Sequence, residues 1–263
     1  MEDLYLHLNS LREATPLVHC LTNQVVMQTT ANVLLAAGAS PAMLDAPEEA
    51  AAFAKNSSAV LINTGTPHAA KYVASREAIR GATEANVPWV LDPIGAGSPT
   101  ATGDFCASAL THRPAVISAN ASEIVALAGM GATARGVDST LEPEDALNAA
   151  VSLAGRTGGI VAVTGARDLI VSEDRITWLT SGAPMLQQVI GTGCSLGALC
   201  AAYVSLDADP HDAVITAHAH VGAAAQIAAD TAQGPGSFAV AWLDAIAAVT
   251  PARIDALVTT KEG

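Results

Sequence analysis

The sequence predicts an α/β protein with a mainly parallel central sheet and helices on both faces. Short β-branched runs alternate with longer Ala/Leu/Glu segments along the chain, and such alternation is typical of strands joined by crossover helices. With 263 residues, 51% apolar and 14% charged, the chain can bury a large core and is not of a disordered composition. It shows no linker-like segment and no internal repeat, so one domain over residues 1–263 is the simplest prediction.

The predicted strands are short. The runs are LVHCL (17–21), VLINTG (60–65), WVLDP (89–93), AVISAN (115–120), GIVAVTG (159–165), and the pair LIVS and ITWLT within 169–180. The last pair reads as an antiparallel hairpin at one edge of the sheet, with its turn near Glu173 and Asp174.

The predicted helices fill the intervals between the strands. They lie near 27–38, 47–55, 67–86, 121–129 and 142–157. After the hairpin the chain becomes Ala-rich, which predicts three helices near 193–207, 210–231 and 237–248 and a final one from 251. Helices so rich in alanine pack closely, within one subunit or between subunits.

Charge and cysteine content narrow the function classes. The net charge of −13 repels nucleic acid and anionic membrane surfaces, so neither is expected as a partner. Four cysteines without C-x-x-C spacing predict neither a disulfide framework nor a cysteine metal site. An acidic N-terminus without a signal-peptide core, and no run of 18 apolar residues, predict a soluble cytoplasmic protein.

Polar and turn-forming residues follow several predicted strands. They occupy 22–23, 63–66, 92–97, 120–123 and 164–165. Such residues are common wherever a strand turns, but in open parallel sheets ligands bind beyond the carboxyl ends of the strands. Their joint occurrence at one edge of the sheet predicts a functional site.

The stretch VIGTGCSLGA (189–198) places a Gly-Thr-Gly turn at the start of a helix-like segment. Bare backbone N–H groups and the positive end of the helix dipole suit a phosphate or a developing negative charge. In that field Cys194 is expected to lose its proton more easily than a free thiol. The stretch also fits a tight connection whose Cys194 only packs, because free cysteines are often buried.

Two carboxylates, Asp92 and Glu123, stand at neighbouring strand ends. Such a pair can organise Mg²⁺ and its waters beside phosphates. Each also has a structural interpretation, since Asp92 precedes a proline and can start a turn. Glu123 can be a first-turn acid, and Asn120 or Ser122 a helix cap.

Taken together, these features indicate a small-molecule kinase that works by positioning and charge stabilisation. The glycines of 191–193 can receive the transferred phosphoryl group, and Cys194 lies where a group assisting the attacking hydroxyl is wanted.

The chain resembles the hydroxyethylthiazole kinase family over essentially its whole length. The likeness runs through PLVHCLTNQVVMQTTANVLLAAGASPAM (16–43), LDPIGAG (91–97), NASEI (120–124), VAVTG (161–165), GTGC (191–194) and GPGSF (234–238). The resemblance implies a ribokinase-like three-layer α/β/α fold without a separate lid domain. It also implies a homotrimer with active sites between subunits, and ATP-dependent phosphorylation of 4-methyl-5-(2-hydroxyethyl)thiazole in thiamine salvage.

The same resemblance assigns the acceptor side. Met43 matches the family's substrate-contacting methionine, and Asn23 and Val25 fall where the thiazole pocket begins. Gly65 and Thr66 are expected to line that pocket.

It also assigns the phosphate side. Asp92 and Glu123 match the Mg²⁺ and phosphate-side acids, Thr164 matches a nucleotide contact, and Asn120 is also expected on the nucleotide side. Gly191 matches the anion-hole glycine, with Gly193 in the same turn. Cys194 matches the cysteine that stands where the wider superfamily has a catalytic aspartate.

Two positions depart from the family pattern. Ser118 stands where the family has an ATP-contacting arginine, and a hydroxyl cannot supply a bidentate, permanently charged contact to phosphate. Ile190 replaces a threonine next to the anion site. These departures leave two alternatives open: a degenerate paralogue that binds a thiazole-like ligand without efficient transfer, and a ribokinase-fold kinase of a related heterocyclic alcohol.

The histidines are not assigned to catalysis. His218 and His220 are two residues apart in a predicted helix, so they point to different sides and make a poor shared metal site. His19 lies in an apolar strand, where a core hydrogen bond is expected.

Overall fold

A computed structural model of the chain describes residues 4–97, 100–130 and 141–263. In these ranges one sheet has the strand order β2-β1-β3-β4-β5-β6-β7-β8-β9. The strands are β1 (Leu17–Leu21), β2 (Ser40–Ala42), β3 (Ala59–Asn63), β4 (Trp89–Asp92), β5 (Val116–Asn120), β6 (Ile160–Thr164), β7 (Asp168–Val171), β8 (Ile176–Thr180) and β9 (Thr259–Glu262).

The sheet is parallel from β2 to β6 and antiparallel from β6 to β9. The predicted hairpin is confirmed, because β7 pairs antiparallel with β8 and Ser172 N donates to Arg175 O at 2.9 Å in its turn. Its predicted place at the edge is wrong, since β9 pairs with the outer side of β8. The sequence TTKE has no apolar run, and backbone pairing alone makes this polar, largely exposed segment a strand.

Helices flank the sheet at the predicted places and at two further ones. They are α1 (His7–Ala14), α2 (Met27–Ala37), α3 (Pro47–Lys55), α4 (Ala69–Ala85), α5 (Ala101–Ala109), α6 (Ala121–Leu127), α7 (Leu147–Thr157), α8 (Thr192–Val204), α9 (Pro210–Ala229), α10 (Pro235–Ala248) and α11 (Pro251–Leu257). The helices α1 and α5 are two that the sequence did not predict. Short 3₁₀ turns occupy Leu4–Leu6, Leu110–His112, Pro143–Ala146 and Pro184–Gln188. No helix of the described ranges is long and apolar enough to cross a membrane.

Two apolar clusters cover the two faces of the sheet. Successive strand residues alternate between them: Val116 belongs to the cluster with α8, α9 and α10, and Ile117 to the cluster with α4 to α7. Burial on both faces explains why the strands are apolar throughout. The polar residues of the parallel strands are therefore concentrated at their carboxyl ends.

Candidate active site

The carboxyl ends of the parallel strands bring the predicted residues together. Asn63 at the end of β3 pairs in register with Asp92 at the end of β4, and Asn120 with Thr164 at the ends of β5 and β6. Asn23 lies two residues after the end of β1. The predicted concentration of polar groups at one edge is confirmed.

A chain of amide hydrogen bonds links Cys194 to Asp92. Asn23 Nδ2 lies 3.3 Å from both Cys194 Sγ and Asn63 Oδ1, and Asn63 Nδ2 donates to Asp92 Oδ2 at 2.5 Å. Asn63 Oδ1 also accepts from Gly65 N at 3.0 Å. The sequence predicts Asn63 only as one of the strand-end residues. The register of β3 and β4 is what places it between Asn23 and Asp92.

The turn before α8 requires a glycine. Gly191 has a φ of 92°, and a Cβ there would lie 3.0 Å from the Val26 side chain. Nothing comes within 4 Å of a Cβ built at Gly193, so the first turn of α8 is open to a ligand. Free N–H groups at a helix N-terminus suit an anion.

The Cys194 thiol is not activated as the sequence suggested. Burial and the charge of Asp92 raise the pKa of Cys194 to about 12, although the amides of Asn63 and Asn23 act to lower it. The expectation of an easily ionised thiol is therefore wrong. Desolvation is the largest cause of this rise, and the thiol is protonated at neutral pH.

Asp92 is buried and Glu123 partly buried, and the two carboxylates are close enough to interact. Burial and the charge of Glu123 raise the pKa of Asp92 to about 8, and burial raises the pKa of Glu123 to about 7. Asn120 and Glu123 also form the capping box of α6, with Glu123 N donating to Asn120 Oδ1 at 2.9 Å. The helix cap, which is the structural interpretation that the sequence allows for these two residues, is therefore present. Glu123 is also close enough to raise the pKa of Asp92.

The donor set of this pair fits Mg²⁺. Two carboxylates supply hard oxygen ligands, and their mutual repulsion in a buried place is what a divalent cation relieves. No group of three or more His, Cys, Asp or Glu in the described ranges makes an all-protein metal cage. Mg²⁺ commonly takes one or two carboxylates and completes its shell with water and phosphate.

Lys71 is a site residue that the sequence reading missed. It lies in the first turn of α4, is 4% exposed, and its Nζ donates to Gly65 O at 2.5 Å. Burial lowers the pKa of Lys71 to about 8, and the nearby acids Asp45 and Asp92 act to raise it. This ammonium is thus near both the acceptor-side turn and the acids.

The residues expected on the acceptor side surround the end of β1 and the Gly65 turn. Thr66 has a φ of 43°, and its Oγ1 accepts from Gln24 N at 3.0 Å. Met43 follows β2 and is partly buried, whereas Val25 is 60% exposed. The loop after β1 also packs on Gly191 through Val26, so the acceptor side adjoins the anion turn.

A cavity of about 330 Å³ lies on the other side of that turn. Asn120, Thr164 and Gly193 contribute to its wall, in keeping with the predicted nucleotide side. Ser118 does not line it and is a 4% exposed residue inside β5. His218 does line it.

The predicted divergence of the α9 histidines is confirmed. His218 Nδ1 lies 2.7 Å from Asp168 Oδ2, whereas His220 contacts Tyr203 Oη at 3.0 Å and Ile246 O at 2.9 Å. His19 Nε2 lies 2.7 Å from Leu44 O, the core contact that was expected.

The sheet order, the glycine turn and the strand-end acids define a small-molecule kinase of the ribokinase-like fold. That fold also occurs in the pyridoxal kinase from Staphylococcus aureus, with a TM-score of 0.58, 19% identity and coverage of 80% of this chain and 87% of that one. The model of the hydroxyethylthiazole kinase family matches residues 8–252, and the chain belongs to this family.

Two relatives within the family match nearly the whole chain. A hydroxyethylthiazole kinase of Corynebacterium glutamicum (strain R) is 58% identical over 259 residues, which cover 97% of each chain. The solved structure of the hydroxyethylthiazole kinase protein from Pyrococcus horikoshii OT3 superposes with a TM-score of 0.91 at 35% identity, covering 100% of both chains.

Proposed function

We propose that this protein transfers the γ-phosphoryl group of ATP to the hydroxyl of 4-methyl-5-(2-hydroxyethyl)thiazole, a step of thiamine salvage. The observation that carries the proposal is the open first turn of α8, which lies between the acceptor-side residues and the cavity walled by Asn120 and Thr164. Family membership supplies the identity of the acceptor.

The reaction forms a bond between the thiazole hydroxyl oxygen and the γ-phosphorus. It breaks the bond between the γ-phosphorus and the oxygen that bridges to the β-phosphate. ADP leaves, and the hydroxyl proton is lost. Gly191, Gly193 and the N-terminus of α8 are proposed to receive the negative oxygens of the transferred group. Met43, Asn23, Val25, Gly65 and Thr66 are proposed to hold the thiazole, and Thr164 and Asn120 the nucleotide.

Cys194 is proposed to act mainly through its position beside the acceptor hydroxyl, and only to a small extent as a base. Its thiol is protonated at neutral pH, and phosphoryl transfer through a loose transition state needs little help from a strong base. The Asn23–Asn63 amide chain fixes the thiol relative to Asp92. Ser118 is buried inside β5 and does not line the cavity, so it is not proposed to contact the nucleotide.

Asp92 and Glu123 are proposed to hold Mg²⁺ beside the phosphates. The ion would supply positive charge for the phosphate oxygens. The acids themselves orient the phosphate side, while Asn63 keeps one Asp92 oxygen in place.

The assembly is proposed to be a homotrimer of single-domain subunits in the cytoplasm. Val25 and Ile190 are 60% and 66% exposed beside the site, and apolar residues in such positions are typical of subunit contacts. Cys20, Cys106, Cys194 and Cys200 are free thiols, the state favoured in a reducing compartment.

A coupled assay with the thiazole alcohol and a panel of nucleoside triphosphates tests the proposal. Mg²⁺-dependent ADP release that requires the thiazole is expected. Thiazole binding without ADP release would favour the degenerate paralogue, and turnover only with a different heterocyclic alcohol would favour the kinase of a related heterocyclic alcohol.

A further inference from the structure

The turn between β6 and β7 is closed by an aspartate. Asp168 begins β7, and its Oδ1 accepts a hydrogen bond of 3.0 Å from Gly165 N. The turn follows Thr164 directly, and Thr164, Gly165 and Asp168 all line the 330 Å³ cavity. Asp168 therefore sets the course of the backbone in the wall of that cavity.

The second oxygen of the same carboxylate is held from α9. His218 Nδ1 lies 2.7 Å from Asp168 Oδ2, with the histidine side chain 0% exposed and the aspartate side chain 17% exposed. Burying an imidazole and a carboxylate together is costly, and replacing such a pair by apolar residues is often neutral or stabilising. Because apolar residues at these positions could supply the same stability, a buried polar pair in this Ala-rich helix indicates a role beyond stability.

The outer side of the turn is fixed as well. The Arg167 guanidinium lies 4.1 Å from the centre of the Trp178 ring and 2.8 Å from Glu144 Oε1. A Cβ on Gly165 would come within 2.4 Å of Pro143, so the backbone there is closely packed. Arg167 holds the turn from the solvent side, and the Asp168–His218 pair holds it from the cavity side, where both residues line the cavity.

We propose that the Asp168–His218 pair positions the nucleotide by holding the Thr164–Gly165 turn against the nucleoside part of ATP. This inference rests on the proposed function, in which the cavity takes ATP. The pair touches the acceptor side nowhere in the described contacts. Its loss is therefore expected to weaken ATP binding and to leave thiazole binding unchanged.

The α9 helix offers a matched control. His220 is buried two residues further on, but it contacts Tyr203 and Ile246 and does not line the cavity. His218→Ala and His220→Ala thus remove the same group from the same helix on opposite sides. Asp168→Asn keeps the size of the carboxylate and removes its charge, and His218→Gln keeps a donor for Asp168.

Calorimetric ATP binding and steady-state kinetics on these variants test the inference. His218→Ala and Asp168→Asn are expected to weaken ATP binding and raise its KM by about 10-fold, the loss of one charged hydrogen bond, with the thiazole KM within about twofold. His218→Gln is expected to recover part of the affinity. His220→Ala is expected to lower the melting temperature and leave the ATP KM unchanged.

Two results would overturn the inference. One is wild-type ATP affinity in both Asp168→Asn and His218→Ala; the other is an equal loss in His218→Ala and His220→Ala. If His218→Ala does not fold, Asp168→Asn decides the question alone. A wild-type protein that neither binds ATP nor releases ADP would instead refute the proposed function, and this inference with it.

Discussion

At the scale of single residues, the buried acids are where function and stability oppose each other. Asp92 is 6% exposed, and the charge of Glu123 opposes its ionisation. Asp92→Asn and Glu123→Gln are expected to lower kcat by roughly 100-fold, as when one preorganised group is lost. Above pH 8, where Asp92 is ionised, Asp92→Asn is expected to keep or raise the melting temperature, because it removes a desolvated charge. Normal Mg²⁺-dependent rates in either variant would refute the assignment.

Lys71 allows a second test at this scale. Its ammonium holds the carbonyl of Gly65, which belongs to the proposed thiazole pocket, so Lys71→Met is expected to raise the thiazole KM several-fold while the ATP KM stays constant. Lys55→Met is the matched control, because Lys55 is exposed and pairs only with Glu84 among its described ion partners. A thiazole KM that does not respond in Lys71→Met would remove Lys71 from the site.

The sequence predicted which side chains lie together where their position at the end of a strand alone decides it. Asn23, Asp92, Asn120 and Thr164 were predicted to meet because parallel strands end at one edge. Lys71 gave no such signal: a lysine in a helix is ordinarily solvated, and its burial arises from packing against the Gly65 turn. Burial also reversed the expected ionisation of Cys194.

At the scale of elements, α9 holds three buried histidines, His211, His218 and His220, and the last two have opposite linkage to pH. Burial alone would lower the pKa of His218, but Asp168 and Cys200 outweigh it and raise the pKa to about 10. Burial lowers the pKa of His220 to about 4. His218 thus contributes stability below pH 6.5 that is lost as pH rises towards 10, and His220 contributes stability above pH 6.5 that is lost as pH falls towards 4.

Urea unfolding between pH 4 and 10 separates these contributions. His218→Gln is expected to flatten the alkaline side of the stability profile, and His220→Gln the acidic side. If both variants flattened the same side of the stability profile, the opposite linkage of the two histidines would be contradicted.

The sequence predicted the elements that carry a strong apolar signal. The strands β3 to β6 and helices such as α3, at 47–55, were placed within a few residues. It missed α1, α5, β2 and β9. Each is short, and β9 in particular is polar and exposed, so tertiary pairing and not local pattern makes it a strand.

At the scale of the whole molecule, unpartnered apolar side chains remain on neighbouring helices. Leu35 of α2 is 60% exposed and Val240 of α10 is 64% exposed, and these two helices contact each other. Val25 and Ile190 are similarly exposed beside the proposed site. This distribution supports the proposal that the subunit contact and the active site are adjacent.

The proposed trimer can be tested by placing a charge on that surface. Leu35→Glu and Val240→Glu are expected to shift the protein from trimer to monomer in light scattering at micromolar concentration, because a carboxylate is costly to desolvate in an apolar contact. Turnover should fall with the trimer if subunits share the active site. Val151→Glu is the matched control, since Val151 is 45% exposed on α7, a helix of the opposite layer. A monomeric wild-type protein, or full activity in monomeric variants, would refute a site shared between subunits.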